Sequence, residues 1–207
     1  MERFASSRNL LAGAALFAVG ALLALPLDLW VTRHARYDLL PGDLRRVVIW
    51  SEMFAHGLGV ALILTSIFFL DRQNRQAVWW VVASAAGAGL SANLVKMLIA
   101  RTRPHHFGDN VAVWDSFGGW MPVIWAEDWG HAMQSFPSGH TATAVGLAIG
   151  LRWLYPRATP LVILCAALAG FQRIASGAHF LSDVLAGAAV GFTAVALLNQ
   201  LPHRQRP

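Results

Sequence analysis

Six apolar stretches, separated by polar breaks of unequal length, set the pattern of the chain: residues 10–27, 47–70, 77–100, 138–154, 161–175 and 179–201. At 1.5 Å of rise per residue, most of them can cross a hydrocarbon core about 30 Å thick. The first follows a short segment carrying Arg3 and Arg8 and has only Pro26 as a breaker. It is longer than the apolar core of a secretory leader and is followed by no small-x-small cleavage signal, so it reads as an uncleaved first helix. The third begins with Trp79-Trp80 at an expected interface and is rich in Ala, Gly and Ser, as closely packed membrane helices are. The pattern predicts an all-α fold, a six-transmembrane-helix bundle in a single domain covering residues 1–207, with no internal repeat.

The breaks are polar. Residues 28–46 hold Arg33, Arg36, Arg45 and Arg46, and residues 71–76 form a tight turn with Arg72 and Arg75. A further turn holds Arg157 and Pro160, and the tail holds Arg204 and Arg206. The one long loop, residues 101–136, carries Trp114, Trp120, Trp125 and Trp129 with the acids Asp109, Asp115, Glu127 and Asp128. Six spans put both termini on one side of the membrane and this loop on the other.

Composition narrows the class. Hydrophobic residues make up 56% of the chain and charged ones 13%, which excludes an ordinary soluble domain. The net charge of +5 comes from scattered arginines and a single lysine, Lys96, with no basic stripe of the kind nucleic acid needs. Most of these arginines serve to orient helices. The termini side holds eight of them, while the opposite side holds eight Lys and Arg. If three of the latter serve a site, the balance puts the termini in the cytoplasm. The single cysteine, Cys165, lies in an apolar run and makes an intrachain disulfide impossible.

Three polar clusters fall on one predicted side of the membrane. Lys96 is followed after six residues by Arg103-Pro104, and on a helix the two cations, two turns apart, would face a common anion. Phe136-Pro137-Ser138-Gly139-His140 reads as the start of a helix, with Ser138 as cap, bare amides at Gly139 and an imidazole in the first turn, a place suited to an anion and to proton transfer. Arg173 precedes His179 by six positions, and Asp183 lies four beyond, one helical turn from His179. A carboxylate there can hold one imidazole nitrogen and leave the other as nucleophile or base. Ionisable groups at membrane depth are costly and point to function.

The pattern Lys-x6-Arg-Pro, Pro-Ser-Gly-His and Arg-x5-His-x3-Asp resembles that of the type 2 phosphatidic acid phosphatase superfamily, the membrane branch related to vanadium haloperoxidases and glucose-6-phosphatase. One position departs from it, since Gln172 stands where the family usually has Ser before the arginine. The resemblance implies a lipid phosphatase, a phosphoric monoester or diphosphate hydrolase, that works through a phosphohistidine without a metal or other cofactor. In that scheme His179 is the nucleophile, Asp183 orients it, and His140 is the general acid and base. Lys96, Arg103, Ser138, Gly139 and Arg173 surround the phosphate oxygens. The lipid phosphates such enzymes take include undecaprenyl diphosphate, phosphatidylglycerophosphate, phosphatidic acid and lipid A 1-phosphate. The expected setting is a bacterial-type inner membrane with an outward-facing site, a lipid phosphate and the bilayer as partners, and no nucleic acid. A phosphotransferase passing the group to a second lipid is the alternative, and a non-catalytic transporter or lipid-binding protein is a further one.

Other polar residues carry less. Glu52 and His56, four apart in the second run, either line the pocket with Gln172 or pair within the bundle. The tryptophans of the long loop either gate a headgroup or anchor at the interface. Arg101 either adds charge at the entrance or reaches for lipid phosphates. His105, His106 and Asp109 sit in a Pro- and Gly-containing loop that fixes no ligand geometry, and His131 lies far from them, so no metal site is expected.

Overall fold

A computed structural model describes residues 6–107, 112–126 and 130–201. Arg3, Asp109, Glu127, Asp128, Trp129, Arg204 and Arg206 lie outside the described residues. The chain runs through α1 (Ser7–Ala24), α2 (Asp28–His34), α3 (Gly42–Trp50), α4 (Gly57–Leu70), α5 (Val78–Lys96), β1 (Ile99–Arg101), β2 (Phe117–Trp120), α6 (Pro122–Trp125), α7 (Gly139–Leu154), α8 (Thr159–Ala175) and α9 (Leu181–Leu198). Four helical segments are long and apolar enough to cross a membrane: residues 7–34, α5, residues 156–175 and α9. A fifth is the pair formed by α3 with its extension to Phe54 and α4, bent by 70°. The remaining expected span, the fourth run over residues 138–154, corresponds to α7, whose 16 residues are about 24 Å long.

The apolar pattern is inverted relative to a water-soluble bundle. Large side chains such as Leu16, Leu22, Leu62, Phe69, Leu90, Leu94 and Leu164 face outward, while Ala85, Ala88, Ala92, Ala142 and Ala144 fill the interior. Small residues let the backbones approach, the packing mode of helices in lipid. At Gly146 on α7, an added Cβ would sit 2.3 Å from the Ser84 carbonyl oxygen of α5. α7 is thus the central helix, flanked by α5, α8 and α9, with α1 laid along α9.

The boundaries hold closely for the fourth and fifth runs and differ elsewhere. The second run, expected as one helix over residues 47–70, breaks into a 3-10 turn at Ser51–Phe54 before α4 begins at Gly57. The third leaves the helix at Lys96, and Ile99–Arg101 pairs antiparallel with β2 through Ile99↔Trp120, Ala100↔Gly119 and Arg101↔Phe117. The long loop is therefore partly ordered around Arg101. The segment expected as a polar connection over residues 28–46 carries α2 and the start of α3.

Candidate active site

The Pro-Ser-Gly-His stretch opens α7 as its sequence predicts. Ser138 is the N-cap, its Oγ accepting from the Thr141 N–H at 3.4 Å and from the Thr141 hydroxyl at 3.0 Å. Its own N–H donates to the Asp183 carbonyl at 2.9 Å, which ties α7 to the first turn of α9. This approach needs Gly187, where a Cβ would lie 2.4 Å from the Ser138 carbonyl oxygen. The Ser138 hydroxyl is fully buried and occupied with capping.

His179 lies in the loop between α8 and α9, one step before the N-cap of α9, so the expected helical His–Asp pair is instead a loop residue facing a helix start. Its Nδ1 is 2.6 Å from the Ser135 carbonyl and 3.8 Å from Asp183 Oδ2. A carbonyl can only accept, so Nδ1 carries the hydrogen and Nε2 keeps its lone pair. Burial pushes the His179 pKa down to about 4, with Asp183 pulling in the opposite direction. Asp183 reaches the ring largely through Ser135, whose hydroxyl donates to Oδ2 at 2.6 Å; the same oxygen accepts from the Phe180 N–H at 2.9 Å.

The carboxylate of Asp183 is held in turn by Arg101, which corrects the expectation of an entrance charge. Arg101 is wholly buried. Its NH1 donates to Asp183 Oδ1 at 2.5 Å and to Ser182 Oγ at 2.7 Å, its NH2 to Asp28 Oδ2 at 2.7 Å, and its Nε to Ser116 Oγ at 3.0 Å. The guanidinium also lies 4.4 Å and 4.3 Å from the ring centroids of Phe117 and Phe180. Asp28 completes the knot by accepting from the Ser182 N–H and hydroxyl. Sequence reasoning passed over Asp28, although an acid between Leu27 and Leu29 at the end of an apolar run is itself a signal.

The cations come from three separate elements. Lys96 ends α5, and its Nζ lies 3.8 Å from where a Cβ on Gly139 would stand. Arg103 does not share a helix face with it, because β1 intervenes and Arg103 is extended. The Arg103 guanidinium is fixed by Nε donating to the His131 carbonyl at 2.8 Å. Burial, then the charge of Arg173, lowers the Arg103 pKa. Arg103's charge in turn lowers that of His131.

Arg173, on α8, donates from NH2 to Glu52 Oε1 at 2.9 Å. His140 Nε2 lies 3.6 Å from the same oxygen. Gln172 Nε2 donates to Glu52 Oε2 at 3.0 Å and to the Tyr37 hydroxyl at 2.6 Å, and Gln172 Oε1 accepts from Arg173 Nε. Glu52 thus sits in a 3-10 turn and not, as expected, on a helix with His56. His56 caps α4, its ring centroid 6.1 Å from that of His140. Tyr37 and Ser135 went unnoticed in the sequence, the first as one tyrosine among many polar loop residues and the second because it acts through its backbone. Asn93, one turn before Lys96 and with Oδ1 3.6 Å from the same Gly139 Cβ position, was likewise missed.

Lys96, Gly139, His140, Arg173, His179 and Glu52 therefore converge, with Arg103 and Asp183 close behind. Beside them a cavity of about 560 Å³ is lined by Arg33, Arg36, Tyr37, Arg45, His105 and Phe180, among others. Trp114, Trp120 and Trp125 are exposed around the long loop. Among the described residues, no three His, Cys, Asp or Glu side chains group as metal ligands.

Residues 77–207, more than half of the chain and all three clusters, match the PAP2 superfamily. The chain belongs to this superfamily. Within it, the chain is 38% identical over 127 residues to a lipid A 1-phosphatase of Rhizobium johnstonii, a match covering 58% of this chain and 48% of that protein. It is 30% identical over 166 residues to a decaprenylphosphoryl-5-phosphoribose phosphatase of Mycobacterium tuberculosis, covering 78% of this chain and 81% of that one. The chain spans about half the length of the lipid A 1-phosphatases of Rhizobium that it matches. Its fold resembles that of Aquifex aeolicus LpxE, with a TM-score of 0.61 and 21% identity over 83% of this chain and 93% of the other. It also resembles a transmembrane PAP2-type phosphatidylglycerolphosphate phosphatase from Bacillus subtilis, with a TM-score of 0.60 and 19% identity over 97% and 99%. The chain is a helical integral membrane protein with the fold of PAP2 phosphatases.

Proposed function

We propose that this protein is a membrane lipid phosphatase that removes a terminal phosphate from a lipid phosphate or diphosphate through a phosphohistidine. The observation that carries the reading is the bare Nε2 of His179, fixed by the Nδ1–Ser135 contact among the cations Lys96, Arg103 and Arg173. In the first step Nε2 attacks phosphorus, the bond from phosphorus to the lipid oxygen breaks, and His140 gives that oxygen a proton. In the second, water loses a proton to His140 and attacks phosphorus. The P–N bond breaks, inorganic phosphate leaves, and Nε2 recovers its lone pair. The three cations and the Gly139 amide stabilise charge on the nonbridging oxygens in both transition states. Neither step needs a metal.

The same reading takes α1 with α2, α3 with α4, α5, α7, α8 and α9 as six spans of one domain. Both termini lie in the cytoplasm of a bacterial-type inner membrane, and the site faces outward. The test is phosphate release by the purified protein from undecaprenyl diphosphate, phosphatidylglycerophosphate, phosphatidic acid, lipid A 1-phosphate and decaprenylphosphoryl-5-phosphoribose, the last added because a relative's name carries it. Release from at least one, lost in His179→Asn, supports the reading. Release undiminished in His179→Asn defeats it, and a phosphorylated lipid acceptor in place of free phosphate would favour phosphotransfer.

A further inference from the structure

Two histidines stand at this site, and a carboxylate accompanies each. The His179–Asp183 pair belongs to the sequence pattern; the one beside His140 does not. Glu52 reaches His140 because the second apolar run breaks where its hydropathy gives no warning. The chain turns by 70° through Ser51–Phe54, and the first turn of α4 then lies against the Met53 carbonyl, where a Cβ at Gly59 would come within 1.9 Å of the oxygen. The bend swings Glu52 inward to α7 and α8. There Oε1 meets Arg173 NH2 at 2.9 Å and His140 Nε2 at 3.6 Å, and Oε2 takes a hydrogen bond from Gln172.

Gln172 is the position that departs from the family pattern, and its length is what this arrangement uses. Its Nε2 donates to Glu52 and to the Tyr37 hydroxyl, and its Oε1 accepts from Arg173. A serine could not span these three partners. Among the described residues, the charged or titratable neighbours of His140 are Glu52 from the bend, His56 from the start of α4, Lys96 from α5, Arg173 from α8 and His179 from the loop before α9. Glu52 is the acid among them, its Oε1 3.6 Å from Nε2.

We propose that Glu52 is a positioning residue for His140, the carboxylate that holds its Nε2–H and shares the positive charge of the ring, so that the other nitrogen faces the departing oxygen. The inference rests on the reading of His140 as general acid. The doubly protonated ring gives its Nδ1 proton to the lipid oxygen as the P–O bond breaks. Water returns a proton to Nδ1 in the second step, and Glu52 stays ionised throughout. A carboxylate in this role matters when the leaving oxygen is basic and needs a proton, and little when it leaves well without one.

The experiment compares dioctanoyl phosphatidic acid, an alkyl phosphate, with p-nitrophenyl phosphate, whose leaving group needs no proton. It uses the full chain in detergent and the variants Glu52→Gln, Glu52→Asp and His140→Ala. Glu52→Gln keeps one acceptor oxygen, enough for Arg173 or Gln172 but not both, and loses the charge. We expect its kcat on the alkyl phosphate to fall by about 100-fold with KM changed by less than about threefold, the loss on the aryl phosphate to shrink to a few-fold, and Glu52→Asp to restore most of the difference. Equal losses on both substrates would make Glu52 merely an anchor for Arg173 and overturn the proposal, as would an unchanged kcat on the alkyl phosphate. His140→Ala separates the failures. If it shows the leaving-group bias and Glu52→Gln does not, only the assignment of Glu52 falls. If His140→Ala lacks the bias, the general-acid reading falls with it.

Discussion

Replacing Arg101 by Met tests whether the loop that carries His179 is held by a charge knot outside the family's signature residues. The change removes four hydrogen bonds and leaves two carboxylates, Asp28 and Asp183, without their cation in a region closed to water. Removing one partner of a buried ion pair costs about 3–5 kcal/mol, because the other charge is stranded. Methionine is apolar and flexible enough to keep the contacts with Phe117 and Phe180, so lost packing adds little. Asp28 retains two donors from Ser182, and Asp183 retains Ser135 and the Phe180 N–H, which keeps the cost near the single-pair figure and not at twice that value. For a chain of this size about 3–5 kcal/mol lowers the melting temperature by about 6–20 °C, measured by thermal unfolding in detergent. Adding Asp28→Asn to Arg101→Met removes one stranded charge, keeps an acceptor for the Ser182 N–H and turns a donor toward the Ser182 hydroxyl oxygen, and should return about 1–3 kcal/mol. Arg101→Met melting within 2 °C of the parent, to take about the smallest resolvable shift, would refute the knot. So would a double variant no more stable than the single one.

Three further outcomes follow from the same geometry. Gly187→Val drives a side chain into the Ser138 carbonyl, so it should separate α9 from α7, cost at least about 1–3 kcal/mol in thermal unfolding, and reduce phosphate release more than stability alone explains. His179 is neutral in the folded protein down to about pH 4, whereas an unfolded histidine titrates near 6.5. Its contribution to stability is therefore complete above about pH 6.5 and is lost as the pH falls toward 4. His179→Asn keeps a donor for the Ser135 carbonyl and has no proton to gain, so its melting temperature should fall less over that interval. Phosphate release should survive excess EDTA, measured with the most active lipid; strict dependence on a restored divalent ion would sink the metal-independent scheme.

What the sequence made legible follows from the membrane. Lys96, His140, Arg173, His179 and Asp183 stand out because each is an ionisable group beside an apolar run, where its presence is costly. Helix positions were legible for the same reason wherever a run was bounded by Pro, Gly or charge, as at Pro137 and Pro160. The rest depended on partners far apart in the chain. Arg101 and Asp28 are 73 residues apart, and each alone passes for an interface residue. Ser135 acts through its carbonyl, which every residue has. The bend at residues 51–56 lies within an apolar run and arises from the close approach of Gly59 to Met53, a tertiary fact that hydropathy does not register. Lys96 and Arg103 were placed two helical turns apart by a helix that ends at Lys96, because the apolar Met97-Leu98-Ile99-Ala100 continues into a short strand.

The central claim is that phosphorus bonds transiently to His179. Rapid mixing of the purified protein with a lipid substrate labelled in its terminal phosphate, followed by alkaline quench and denaturing separation, measures it directly. Labelled protein that is stable to base, labile to acid and absent from His179→Asn is the predicted result. Turnover of the lipid with no acid-labile label on the chain, or label that persists in His179→Asn, would contradict it.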